Sequence, residues 1–100
     1  MKVVYSSRVE TELESFLGAG IDRFGRHVAE NTSLTIERSL KVTLGERPYL
    51  GRLLPARQVY RYVIARTPFV AYYHVDAVAE KITILAIFYG ARNRSEFEPD

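Results

Sequence analysis

Residues 81–92 read Lys81-Ile82-Thr83-Ile84-Leu85-Ala86-Ile87-Phe88-Tyr89-Gly90-Ala91-Arg92, and how this run is read decides the fold. Eight of its first nine residues are β-branched, aromatic or aliphatic. The run is too short to span a bilayer and has no 3.6-residue period, so it predicts a strand that is apolar on both faces. Strict alternation sends Thr83, Leu85, Ile87 and Tyr89 to one face and Ile82, Ile84, Ala86 and Phe88 to the other. Both faces need cover, one by the chain's own helices and the other by a partner. Gly90 stops the strand, and Arg92 and Arg94 follow its end, where rigid structure supports side chains that still reach solvent.

Two further β-type runs precede it, over residues 59–65 and 69–75, separated by Arg66-Thr67-Pro68 and then by residues 76–80. Connections this short cannot carry a crossover helix, so the three strands form an antiparallel meander. Alternation places Tyr72 and Tyr73 on opposite faces. Upstream, Arg47-Pro48-Tyr49-Leu50-Gly51-Arg52-Leu53-Leu54-Pro55 reads as a loop.

The first half of the chain is helical. Residues 2–5 suit a brief strand, and Ser7 with Glu10 three positions later has the pattern of a capping box. Val9, Leu13, Phe16 and Leu17 share a face, leaving Glu10, Glu12 and Glu14 as a solvated acidic side. Two glycines in Gly18-Ala19-Gly20 put the turn of a helical hairpin there, with Gly25 as the rival position. The 3/4 spacing continues through Ile21, Phe24, Val28, Ile36, Leu40 and Leu44 to Gly45, which closes the second helix. The predicted architecture is α+β, in the order β-α-α-β-β-β, with the helices on one face of the sheet. The charged tail, residues 93–100, is expected to fray.

One hundred residues make one domain, and 47% hydrophobic with 26% charged residues is a globular composition. The absence of cysteine removes disulfides, thiolate zinc sites and cysteine nucleophiles. No signal-peptide core or spanning segment is visible, which predicts a cytosolic protein. The net charge is only +2, yet five arginines and no acid lie between Arg47 and Arg66. Either these arginines line the solvated edge of a sheet or they form a basic functional surface.

Conventional catalytic sets are scarce. His27 and His74 have no metal-ligand spacing, His27 reading as a helix-surface residue and His74 as structural or incidental. No phosphate loop, nucleophile elbow or zinc-protease motif is present, and neither metal nor cofactor is expected. What remains is a group of arginines and tyrosines at the sheet: Arg52, Arg61, Arg66, Tyr72, Tyr73, Tyr89, Arg92 and Arg94. Such a group suits phosphates and bases, and equally a protein interface.

The element order, together with Arg47-Pro48-Tyr49-Leu50-Gly51-Arg52, Phe69-Val70-Ala71-Tyr72-Tyr73-His74-Val75-Asp76 and the last strand ending in Gly90-Ala91-Arg92-Asn93, resembles the RelE/ParE family of bacterial type II toxins. The similarity covers nearly the whole chain; Tyr89 stands where the family commonly has His. The resemblance implies a cytosolic protein that inhibits growth and is neutralised by a cognate antitoxin, whose amphipathic segment would cover exposed apolar surface.

The family divides by function. Its RelE-like branch is a ribosome-dependent mRNA endoribonuclease, and its ParE-like branch inhibits DNA gyrase. Arg92 matches the arginine after the last strand in the nuclease branch. The nuclease arginine of the middle strand falls at about Val70, and the C-terminal tyrosine at about Glu98. The lysine pair is absent, with Arg61 and Arg66 as substitutes; in a ribonuclease the catalytic group would be Arg61, Arg66 and Arg92. The departures favour the gyrase branch, in which Arg52, Arg61, Arg66, Tyr89, Arg92 and Arg94 would face the target or the antitoxin.

Overall fold

The computed structural model describes residues 1–90 and 97–98, and places the run at residues 81–89 in strand β5 (Lys81–Tyr89). The chain begins with β1 (Lys2–Tyr5), α1 (Ser7–Phe24) and α2 (Arg26–Arg38), then a π-helical turn (Ser39–Thr43) and α3 (Leu44–Glu46). It ends with β2 (Arg52–Leu54), β3 (Val59–Val63), β4 (Phe69–Asp76) and β5. The strands form a single sheet in the order β1-β5-β4-β3-β2. β3, β4 and β5 are the expected antiparallel meander, and β1 joins β5 in parallel, as a connection through two helices permits.

β2 lies within the stretch predicted to be loop. It pairs antiparallel with β3, Arg52 opposite Arg61 and Leu54 opposite Val59. Three residues between two proline-containing turns are too few to show an alternation. Gly51, just before it, is held by close approach: a Cβ there would stand 2.7 Å from the Arg61 carbonyl oxygen and 2.9 Å from the Tyr73 hydroxyl. The Gly51 N–H donates to that hydroxyl at 2.9 Å.

β5 departs from strict alternation. Its pairing with β4 steps from Tyr73 opposite Ile84 to Tyr72 opposite Ala86, leaving Leu85 as the extra residue of a bulge. The bulge moves the phase by one, so Ile82, Ile84 and Ile87 all enter the core beneath the helices, with Val9, Ile36, Leu40, Leu44 and Tyr73. Ala86 and Phe88 join Val59, Val70 and Tyr72 on the other face, with Leu85 against them. β1 ends opposite Ile84, and two side chains take over the edge beyond it: Ser6 Oγ donates to the Leu85 carbonyl at 3.2 Å, and Glu12 Oε1 accepts the Ile87 N–H at 3.0 Å. Glu10 and Glu14 are exposed as predicted, but Glu12 is a structural acceptor.

The start of α1 is also shifted by one. Ser6, not Ser7, is the N-cap, its hydroxyl accepting the Val9 N–H at 3.2 Å. The hairpin turn lies at Gly25, where φ is +89°, and α1 runs unbroken through Gly18 and Gly20. Gly20 serves packing instead: a Cβ there would come within 3.2 Å of Ala29 Cβ on α2. Among the described residues no helix is long and apolar enough to cross a membrane.

Candidate functional site

The face of the sheet away from the helices has an aromatic floor and a charged rim. Tyr72 on β4 and Phe88 on β5 form the floor, ring centroids 5.7 Å apart and edge to face. Arg61 on β3 pairs in register with Tyr72, and Arg52 on β2 with Arg61, so three strands place these side chains in one row. The Arg8 guanidinium from the start of α1 stands 5.3 Å from the centroid of Phe88.

Phe97 and Glu98 occupy this surface. Phe97 stacks on Tyr72 with centroids 4.7 Å apart and planes 12° apart, and meets Phe88 at 61°. Glu98 Oε1 accepts from Arg52 Nη2 at 3.1 Å, while Oε2 lies 3.1 Å from Arg61 Nε and accepts from the Tyr72 hydroxyl. The Arg61 N–H is not aligned for a hydrogen bond, so this contact is ionic. Exposure separates the two arginines, Arg61 being 23% exposed and Arg52 69%. The Arg61 contact therefore carries the electrostatics, because an exposed pair is screened. At these two positions the expected fraying of the tail is replaced by packing. A lone aromatic inside a charged tail was the signal, and helical or strand periodicity does not register it.

The remaining arginines and tyrosines are dispersed. Arg66 is exposed in the turn after β3, with φ at +67°. Tyr89 points to the helical side, meeting Phe69 edge to face at 5.4 Å, so it does not share a surface with Arg61. Arg92 and Arg94 lie outside the described residues. Tyr73 is in the helix-side core and Tyr72 on the opposite face, as alternation predicts. His27 is exposed on α2, 3.4 Å from Asn31 Nδ2, and His74 is exposed at the end of β4. Among the described residues no group of His, Asp and Glu is placed to hold a metal.

A second surface lies on the helical side. A groove of about 530 Å³ runs between α1, α2 and the strand ends, lined by Leu13, Phe16, Phe24, Val28, Phe69 and Tyr89 among others. Phe24 is 65% exposed, Val28 50% and Tyr89 51%, so three large apolar side chains face solvent around one opening. Sequence reasoning placed Phe24 and Val28 on the buried stripe. The turn at Gly25 carries them to the turn end of the hairpin, where both stay exposed.

No protein-family model matches the chain, and no curated protein does. Solved structures do. A chain of the chromosomal ParDE TA system from P. aeruginosa superimposes with a TM-score of 0.72 at 19% identity, over 90% of this chain and 96% of that one. The isolated E. coli RelE toxin superimposes with a TM-score of 0.59 at 14% identity, over 97% and 92%.

Proposed function

We propose that this protein is the toxin of a bacterial type II toxin–antitoxin pair, that it arrests growth by binding DNA gyrase, and that a cognate antitoxin neutralises it in the cytoplasm. The observation that carries the gyrase branch is the open sheet face. Where a nuclease of this family has an arginine on the middle strand, Val70 stands; where it has a C-terminal tyrosine, Glu98 stands and pairs with Arg52 and Arg61. A carboxylate held there repels a scissile phosphate. The greater similarity to the ParDE chain supports the same branch. The exposed groove supports the antitoxin, since an amphipathic segment would bury Phe24, Val28 and Tyr89 together.

The second reading is a ribosome-dependent mRNA endoribonuclease acting through Arg61, Arg66 and Arg92. It is favoured by Arg61 lying beside Tyr72 on the open face, where a phosphate and a base would be met together. Pulse-labelling of DNA and protein synthesis in the first minutes after expression without an antitoxin separates the two. DNA synthesis falling first, with translation continuing, is the expected result; translation stopping first reverses the assignment.

A further inference from the structure

Arg52 and Arg61 face each other across β2 and β3, and each takes a different oxygen of one carboxylate, with the Tyr72 hydroxyl on the oxygen nearer Arg61. The residue immediately before that carboxylate lays its ring flat on Tyr72 and against the edge of Phe88. Two cations converging on a two-oxygen anion, beside an aromatic floor one residue away, specify a ligand: an aromatic side chain followed directly by an acid. We infer that the hollow formed by Arg52, Arg61, Tyr72 and Phe88 is a recognition site for a partner peptide carrying this aromatic-acid pair, and that Phe97-Glu98 fills it in cis until the partner competes.

The occupant in the structure decides between a peptide and a nucleic acid. The anion seated there is a carboxylate, one oxygen of which meets Arg52 while the other meets Arg61 and the Tyr72 hydroxyl. The connection from ring to anion is one peptide unit, which a protein segment reproduces and a nucleotide does not. The inference goes beyond the toxin reading and does not depend on it, since it concerns only what this surface binds.

A tethered occupant competes at an effective concentration on the order of millimolar, so the intact chain resists a peptide supplied in trans. The test uses the full-length chain and its Phe97→Ala/Glu98→Ala variant, titrated into a fluorescent Ser-Glu-Phe-Glu-Pro-Asp peptide, the chain's own residues 95–100, with anisotropy as the readout. The double variant is expected to bind at least about tenfold more tightly than the intact chain, by release of that cis competition. Adding Arg61→Ala should abolish the gain, and a Ser-Glu-Ala-Gln-Pro-Asp control should not bind. Equal binding by the intact chain and a folded double variant overturns the inference, as does equal binding of the control peptide. So does tighter binding of a short single-stranded RNA than of the peptide, or a dimer of the intact chain that the double variant loses. Should the double variant not fold, Glu98→Gln keeps the ring and removes only the charge. It is expected to bind the peptide more tightly than the intact chain, and no gain would overturn the inference.

Discussion

Tyr5 and Tyr73 show how position alone gives one side chain two different energetic roles. Both phenols are pushed up by burial, Tyr5 to about 12 with the nearby Glu37 carboxylate adding to the effect. The Tyr73 hydroxyl accepts from Gly51, whereas the Tyr5 hydroxyl is buried with no hydrogen-bond partner among the described residues. Below pH 10 neither the folded nor the unfolded chain ionises Tyr5, and stability does not respond to it. Between pH 10 and the folded value of about 12 the unfolded chain releases its proton first, so stability falls as pH rises through that window. Tyr5→Phe should therefore be neutral or mildly stabilising at pH 7, having no bond to lose, and should flatten the alkaline fall in Tm. Tyr73→Phe should cost about 1 kcal/mol at pH 7, the net value of the lost hydrogen bond. Urea unfolding at pH 7 and thermal melts from pH 9 to 12 test both.

At the level of elements, the sequence was legible wherever periodicity ran long and failed where one residue changed its phase. The three antiparallel strands, the brief first strand and the helical hairpin follow from apolar spacing together with glycine and proline punctuation. The Leu85 bulge does not, because nothing in an apolar run marks which residue will be left unpaired. Once it is inserted, Ile87 and Ala86 exchange the faces that alternation gives them. The hairpin turn failed differently: glycine marks both an open turn and a close helix contact, and composition does not distinguish Gly18 and Gly20 from Gly25. Their surroundings do. Gly18 is mid-helix with nothing within 4 Å of an added Cβ, while Gly25 has equal space but a φ of +89°. Gly18→Ala should thus stabilise by about 0.5–1 kcal/mol through helix propensity and a less flexible unfolded chain. Gly25→Ala should destabilise by about 1–2 kcal/mol, because a left-handed φ strains any residue with a Cβ. Melting both variants beside the parent reads the sign directly, and equal signs would contradict the placement of the turn.

For the whole molecule, the sheet separates two surfaces with different chemistry. Of the arginines that composition brought forward, Arg52 and Arg61 belong to the face where both meet Glu98, and the apolar groove lies on the helical side. Sequence alone named Arg52 and Arg61 but not their shared partner, because an ion pair between β2 or β3 and residue 98 spans more than a third of the chain and leaves no local pattern. On the proposed reading the groove takes the antitoxin, and the two surfaces can be altered independently. Phe24 is 65% exposed, so Phe24→Asp leaves the core intact while placing a charge where an apolar segment would dock. Loss of one aromatic anchor and burial of an unpaired carboxylate together should weaken antitoxin binding by at least about 2 kcal/mol, roughly thirtyfold. Co-expressed with the proposed antitoxin, the Phe24→Asp chain should still arrest growth, and expressed alone it should be as toxic as the parent. Arg52→Ala, on the other face, should leave neutralisation unchanged. If Phe24→Asp is neutralised as well as the parent is, the antitoxin does not use the groove.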